Sequence, residues 1–406
     1  MVRRFFAMCS VMIVAGVWAQ QDQEAPQVPQ APQEAQAQQV QDAPQASKPG
    51  VFVVVTNTEK QPEANPPVPY KNPTLSESGS WTMVVVPDIQ AYVERPRYHG
   101  IVDLMNAWIV DYVTPLRIQQ VLFTGDLVFR NDQNRLTPNE YSLMGSEQWK
   151  AASRLMERLD GRVPYILCTG NHDYGHNSAE SRDSFFNDFF PTDRNPLTRQ
   201  HLIACAYNSF NRTTLENSAY EFTAPEPDNR KILIITLEFA PTDATLDWAK
   251  KLVDMPRFAN HFCIILTHSY LSCTGERFAE EKYPLNKKGG NPGEAIFQKL
   301  VYPAKNIRMV VCGHIAAPDQ WERGIAFSMD TNSVGKSVAQ MAFNTQAIGG
   351  GFHGSGGDGW LRLLEFLPDR KTIKATTFSP LFAISPSTRH LAWRHEPLNE
   401  FTFTLE

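Results

Sequence analysis

The sequence predicts an α/β fold, and three observations predict it. Short β-branched or apolar runs of strand length recur along the chain, amphipathic helical patterns separate them, and each run closes on a polar side chain. The run MVVVP ends at Asp88, VLFTG at Asp126, and YILCTG at Asn171 and His172. KILIITL ends at Glu238, FCIILT at His268, and MVVCG at His314. Between them, Ile101, Leu104, Met105, Trp108, Ile109 and Tyr112 share one face of a helix over 98–112. Trp149, Ala152, Met156 and Leu159 do so over 146–159, and Leu246, Ala249, Leu252 and Val253 mark a third helix. Asn291 and Pro292 read as the cap and first turn of a fourth, which carries Ile296 and Leu300 inward.

The 406 residues are enough for a large core, and a composition of 42% hydrophobic and 20% charged residues is that of a globular domain. A formal charge of −5 gives no basis for a nucleic-acid partner. At the start, MVRRFFAMCSVMIVAGVWA has paired arginines, an apolar run too short to span a bilayer comfortably, and small residues before position 20. It reads as a signal peptide over 1–19, so the mature protein is expected to be secreted or periplasmic, with no stable membrane anchor. Loss of Arg3 and Arg4 takes the charge from −5 to −7.

Residues 20–49 are Gln, Ala and Pro with almost no large apolar group, so they cannot offset their chain entropy. The expectation for 20–80 is a disordered tether and linker with a strand at 51–58, and for 81–406 one folded domain. Of six Cys, Cys9 leaves with the signal. Cys168, Cys263 and Cys312 lie in apolar runs and read as buried hydrophobes. Cys205 and Cys273 could pair in an oxidising compartment, but an odd count without family-like spacing is a weak disulfide signal.

In an α/β sheet the functional crevice lies at the carboxyl ends of the strands, and every donor named above sits at such an end. Asp88, Asp126, Asn171, His268 and His314 are oxygen and nitrogen donors of the kind that hold divalent cations. Brought together without a positive centre, they would repel one another or go unsatisfied. Two cations about 4 Å apart, sharing one carboxylate, would satisfy them. Any one of these residues alone reads more simply as a helix cap or a core histidine; five in succession, each after its own strand, do not.

Order and wording resemble the calcineurin-like metallophosphoesterases over roughly residues 81–380. Their pattern is Asp-x-His, Gly-Asp, Gly-Asn-His-Asp or -Glu, a lone His, and Gly-His-x-His. The resemblance implies two packed mixed β-sheets flanked by helices, a four-layer αββα arrangement, and a dinuclear site of Mn, Fe or Zn. It also implies hydrolysis of phosphate mono- or diesters by a hydroxide bridging the two metals. Asp126 would bridge them, Asn171, His268 and His314 would complete one site, and Asp88 would belong to the other. His172 would be the general acid, with Asp173 orienting its imidazole, and Asn171 and His172 would also face the substrate.

Two departures from the pattern fall on the same metal. Gln90 stands where His is usual, and Ala316 replaces the second His of the last motif. That site should bind more weakly and favour harder ions, helped by the Gln90 oxygen. His353, in GGGFHGSGGDG, could stand in as a replacement ligand. Phe129 stands where the purple acid phosphatase branch requires Tyr, which disfavours that branch.

SVGKS at 333–337 lacks the leading Gly of a phosphate-binding loop, because Asp330 stands in its place. Lys287 and Lys288 read as solvated. WLRLLEF, PDR and KATTF form a hairpin pattern that also resembles the closing segment of secreted bacterial members, and FTFTL supplies an edge strand. Loops 130–145 and 270–290 are expected to line the pocket. The alternative to an enzyme is a degenerate module that retains one metal and binds a phosphorylated ligand without cleaving it. Amino-terminal sequencing of the exported chain is expected to begin at Gln20; a mature chain that retains Met1 contradicts the signal reading.

Overall fold

The computed structural model describes residues 69–133 and 142–406, so the signal segment, the strand read at 51–58 and most of the tether lie outside the described residues. The chain first lays down β1 (Trp81–Val86), β2 (Ile118–Phe123) and β3 (Tyr165–Leu167). It then builds β4 (Leu202–Tyr207), β5 (Thr213–Thr223), β6 (Lys231–Thr236) and β7 (Phe262–Leu266). β8 (Ile307–Cys312), β9 (Ile325–Thr331) and β10 (Ser337–Phe343) follow. Last come β11 (Leu361–Phe366), β12 (Thr372–Phe378), β13 (Trp393–Arg394) and β14 (Phe401–Thr404).

One sheet has the order β13-β12-β11-β1-β2-β3, with β14 beside β12; the other runs β4-β5-β6-β7-β8-β10-β9. β1, β2 and β3 are parallel, as are β6, β7, β8 and β10, while the flanking pairs are antiparallel. Parallel strands covered on both faces explain why these runs are apolar throughout rather than alternating.

Strand periodicity sorts their side chains into layers. Met83 and Val85 of β1 join Leu122, Ile166, Ile234, Ile264, Met309 and Leu364 between the sheets. Val84 and Val86 point the other way, with Val121 and Phe123, under α1 (His99–Tyr112) and α2 (Gly145–Met156). Leu233, Ile235, Ile265 and Val310 likewise meet α3 (Asp243–Val253) and α4 (Gly293–Ile296), which continues as a π-turn through Val301. The expected four layers are therefore present.

Three details differ from the sequence reading. Asn291 does not cap α4: its amide donates to Pro241 O and Asp243 Oδ1, each at 2.9 Å, and the helix begins two residues later at Gly293. Residues 69–80, read as linker, lie on the first sheet, with Ser76 Oγ donating to Glu365 Oε2 at 2.8 Å and Leu75 packed on the core. β4 and β5 gave no apolar run, because β4 is the edge strand and Thr213, Glu216 and Asn217 break the pattern in β5. SVGKS is the turn between β9 and β10, with Asn332 Oδ1 accepting from Val334 N and Lys336 N at 3.2 and 3.0 Å.

Trp81 ties the layers together. It is fully buried, stacks on Phe366 at 4.1 Å between ring centroids, and donates its indole N–H to Asp228 Oδ2 at 2.8 Å. Trp81→Ala is expected to cost about 3–5 kcal/mol in urea unfolding. A loss no larger than the roughly 0.5 kcal/mol typical of a surface change would contradict this packing.

Candidate functional site

Six strands, three from each sheet, release the chain toward one place. Asp88 follows β1, Asp126 follows β2, Asn171 follows β3, His268 follows β7, His314 follows β8 and Asn344 follows β10. Turns at these ends must be tight. A Cβ on Gly170 would stand 2.1 Å from Asp126 Oδ1, and one on Gly313 would stand 2.3 Å from Asp88 Oδ1. Each of these glycines thus clears space for a carboxylate from a different strand. Asp126 and His314 sit at φ +48° and +70°, a left-handed conformation that costs free energy and persists only where surroundings impose it.

His268 is the hub. It is fully buried, and its Nδ1 donates to Thr124 O at 2.9 Å, which leaves Nε2 facing inward. That nitrogen lies 3.1 Å from Asn171 Oδ1, 3.1 Å from His314 Nδ1 and 3.3 Å from Asp126 Oδ2. Donors about 2.1 Å from a single ion stand a little over 3 Å apart, so this spacing is that of a coordination shell. Among the described residues, Asp126, His268 and His314 each bring a ligand atom within 4.8 Å of the others. The residues present therefore fit one divalent cation.

The electrostatics point the same way. Burial opposes a charge on His268, but Asp126 and Asp88 outweigh it and carry the imidazole up to about 10. Burial also opposes the Asp126 charge, yet His268 and His172 hold that carboxyl down to about 2. The cluster demands positive charge, and a proton on His268 supplies it where a cation would otherwise sit. Burial lifts Asp88 to about 6.

The calcineurin-like phosphoesterase family pattern matches residues 82–318, more than half the chain and the span from Asp88 to His314. The chain belongs to the calcineurin-like phosphoesterases. It is 28% identical over 304 residues to the uncharacterized protein YvnB of Bacillus subtilis (strain 168), a match covering 74% of this chain and 20% of that protein. The chain thus spans about a fifth of that relative's length. Two solved structures share broad similarity. GAP50, the anchor in the inner membrane complex of Plasmodium, is 9% identical with a TM-score of 0.42, over 80% of this chain and 90% of that one. PhoD is 10% identical with a TM-score of 0.40, over 82% and 70%.

Within this calcineurin-like site, two expected roles need correction. Asp173 does not touch the His172 ring. Its carboxylate accepts from Leu127 N, Val128 N and Gly170 N at 2.9, 3.1 and 2.8 Å, so it staples the Gly-Asp turn to the Asn-His-Asp turn. The burial that makes this possible, reinforced by the Asp126 charge, raises its pKa. His172 is instead oriented by the Phe129 carbonyl, 2.9 Å from Nδ1, and by stacking on the Phe129 ring at 5.0 Å. A carbonyl only accepts, so Nδ1 keeps its hydrogen and Nε2 is the nitrogen free to exchange a proton. Burial lowers the His172 pKa. His353 lines the same cavity but is not part of the ligand group; Arg95 Nη2 lies 2.9 Å from its Nδ1.

Gln90 lies beside Asp88, donating Nε2 to Gln346 Oε1 at 2.8 Å. Asn344 and Gln346 were missed from the sequence, although VAQMAF before them is one more apolar run ending in polar residues; its internal Gln340 obscured it. Glu281 was also missed. It stands 3.3 Å from His314 Nε2 and comes from a loop with no strand to announce it.

Gln90, Asp126, Asn171, His172, His314 and Gln346 line a cavity of about 670 Å³. Its walls include Phe278, Lys282 and Tyr283 from the expected 270–290 loop, and Phe352 from the glycine-rich loop. Among the described residues of 130–145 none lines it, and neither do Lys287 and Lys288. Cys273 lines the cavity and Cys205 lies on β4; both are free thiols.

The raised His268 pKa fixes a sign for stability. A histidine whose pKa rises from 6.5 to about 10 on folding contributes stability that is full below pH 6.5 and lost as pH climbs toward 10. In chelator, urea midpoints are therefore expected to fall across that window, and saturating Zn²⁺ should flatten the decline. Midpoints in chelator that rise over the same range would contradict the assignment.

Proposed function

We propose that this chain is an exported, metal-dependent phosphoesterase acting on phosphate mono- or diesters in the cavity over Asp126, Asn171, His268 and His314. The observation that carries the reading is the convergence of those four side chains on one point, with His172 at the wall of the same cavity. Export rests on the amino-terminal signal pattern; among the described residues, no helix is long and apolar enough to cross a membrane.

A bound divalent cation lowers the pKa of water and offsets charge on phosphoryl oxygens. The chain's own residues do the rest. Asp126 accepts the His172 backbone N–H at 2.9 Å, so the ligand turn and the acid turn move as one body. Asn171 donates Nδ2 to Ser178 Oγ at 2.8 Å, which aims its oxygen at the cluster. Protonated on Nε2, His172 can hand that proton to the departing alkoxide while Nδ1 stays bound to Phe129 O. Lys282 and Arg323 on the cavity wall supply positive charge for an anionic substrate. A module that only bound phosphate would not need His172 held in this way.

With Mn²⁺ and chromogenic phosphate esters, His172→Ala is expected to lower turnover by about 10²–10⁴ with its metal affinity unchanged. His314→Ala should lose metal and activity together. Wild-type rates in His172→Ala would remove it from the mechanism, and no turnover by the wild type on either ester class would sink the enzymatic reading.

A further inference from the structure

We propose that this phosphoesterase holds a single cation, and that a cage of three side-chain amides, Gln90, Asn344 and Gln346, fills the place of the second. The inference rests on the reading of Asp126, Asn171, His268 and His314 as the first cation's shell. It departs from the paired metals that the family resemblance implies.

Asp88 is the group that would hold a second ion, and both of its oxygens accept hydrogen bonds, Oδ1 one and Oδ2 three. Oδ1 accepts from Thr124 Oγ1 at 2.9 Å. Oδ2 accepts from Asn344 Nδ2 at 2.6 Å, Gln346 Nε2 at 3.2 Å and His314 N at 3.2 Å. Asp88, Gln90, Asn344 and Gln346 are all buried, so these bonds do not compete with solvent.

Chemistry fixes the orientation of the amides. An ionised carboxylate only accepts, so Asn344 and Gln346 must turn their NH₂ groups toward Asp88; turned the other way, each would set oxygen against oxygen. With its nitrogen committed to Asp88, Gln346 presents Oε1 to Gln90, which must answer with Nε2, as observed at 2.8 Å. Each orientation dictates the next. One atom is left over: Gln90 Oε1, buried and without a partner.

A single neutral oxygen does not make a coordination shell. Zn²⁺ takes four ligands and Mn²⁺ or Mg²⁺ about six, with at least one anionic group among them. The two imidazoles that would complete such a shell are absent, since Gln90 and Ala316 occupy their motif positions. The remaining carboxylate nearby, Asp126, is turned to His268 and the His172 amide. The amide cage therefore stabilises Asp88 by hydrogen bonding, and Asp88 acts as an anchor that positions the β1, β8 and β10 ends rather than as a ligand.

The test is a count made on the full chain. Protein stripped with chelator is equilibrated with Mn²⁺ by dialysis, and bound Mn²⁺ is measured by elemental analysis and by electron paramagnetic resonance. The expected result is one Mn²⁺ per chain, with the resolved hyperfine pattern of an isolated ion. Asp88→Asn should keep that one equivalent. Because it alters a buried carboxylate, Gln90→Ala is the second variant, and it too should keep one.

Two equivalents, or the broadened spectrum of a spin-coupled pair, would overturn the proposal. So would loss of the ion in either variant whose circular dichroism remains native. Zero equivalents in the wild type would instead remove the cation reading of the His268 cluster itself, which separates failure of that reading from failure of this inference.

Discussion

The structure depends on crowding of like-minded donors around His268 Nε2. An amide oxygen, a carboxylate oxygen and a second imidazole nitrogen all stand within 3.3 Å of it. Such an arrangement is unfavourable unless a positive charge sits at its centre. That demand explains why the surrounding backbone tolerates left-handed residues at Asp126 and His314. It also explains why Gly170 and Gly313 leave no room for a side chain. A cation held there, as proposed, would offset the local strain and the loss of two side chains.

The fold makes the crowding possible. Two sheets held face to face by Trp81, Phe366, Met83 and their neighbours bring the ends of β1, β2 and β3 against those of β7, β8 and β10. Because β1, β2 and β3 are mutually parallel, as are β7, β8 and β10, the exits of each set gather at one edge of their sheet. Asp173, buried and bonded to three backbone amides, then fixes the relative position of two of those exits. Chemistry and architecture meet at a few hydrogen bonds rather than at a flexible loop.

Much of this was legible in the sequence. The apolar runs marked the parallel strands because burial on both faces removes alternation, and the residue after each run marked the site. Asp126, Asn171, His268 and His314 meet as their positions suggested. What sequence could not show was partnership. Asp173 follows His172 directly, yet a tight turn sends the two side chains in different directions, and the Phe129 carbonyl, which any residue could provide, does the orienting. Asn344 and Gln346 were hidden because Gln340 interrupts β10; edge strand β4 was hidden because much of its surface faces water, and β5 because Thr213, Glu216 and Asn217 break its apolar run. Glu281 arrives from a loop, where no periodicity exists to betray it.

The most direct measurement is anomalous scattering from crystals of the chain grown with Zn²⁺ and collected at the zinc edge. The account predicts a peak bounded by Asp126 Oδ2, Asn171 Oδ1, His268 Nε2 and a His314 ring nitrogen, each about 2.0–2.2 Å away. Absence of a peak there in well-ordered crystals, with those four side chains hydrogen-bonded only to one another, would contradict it.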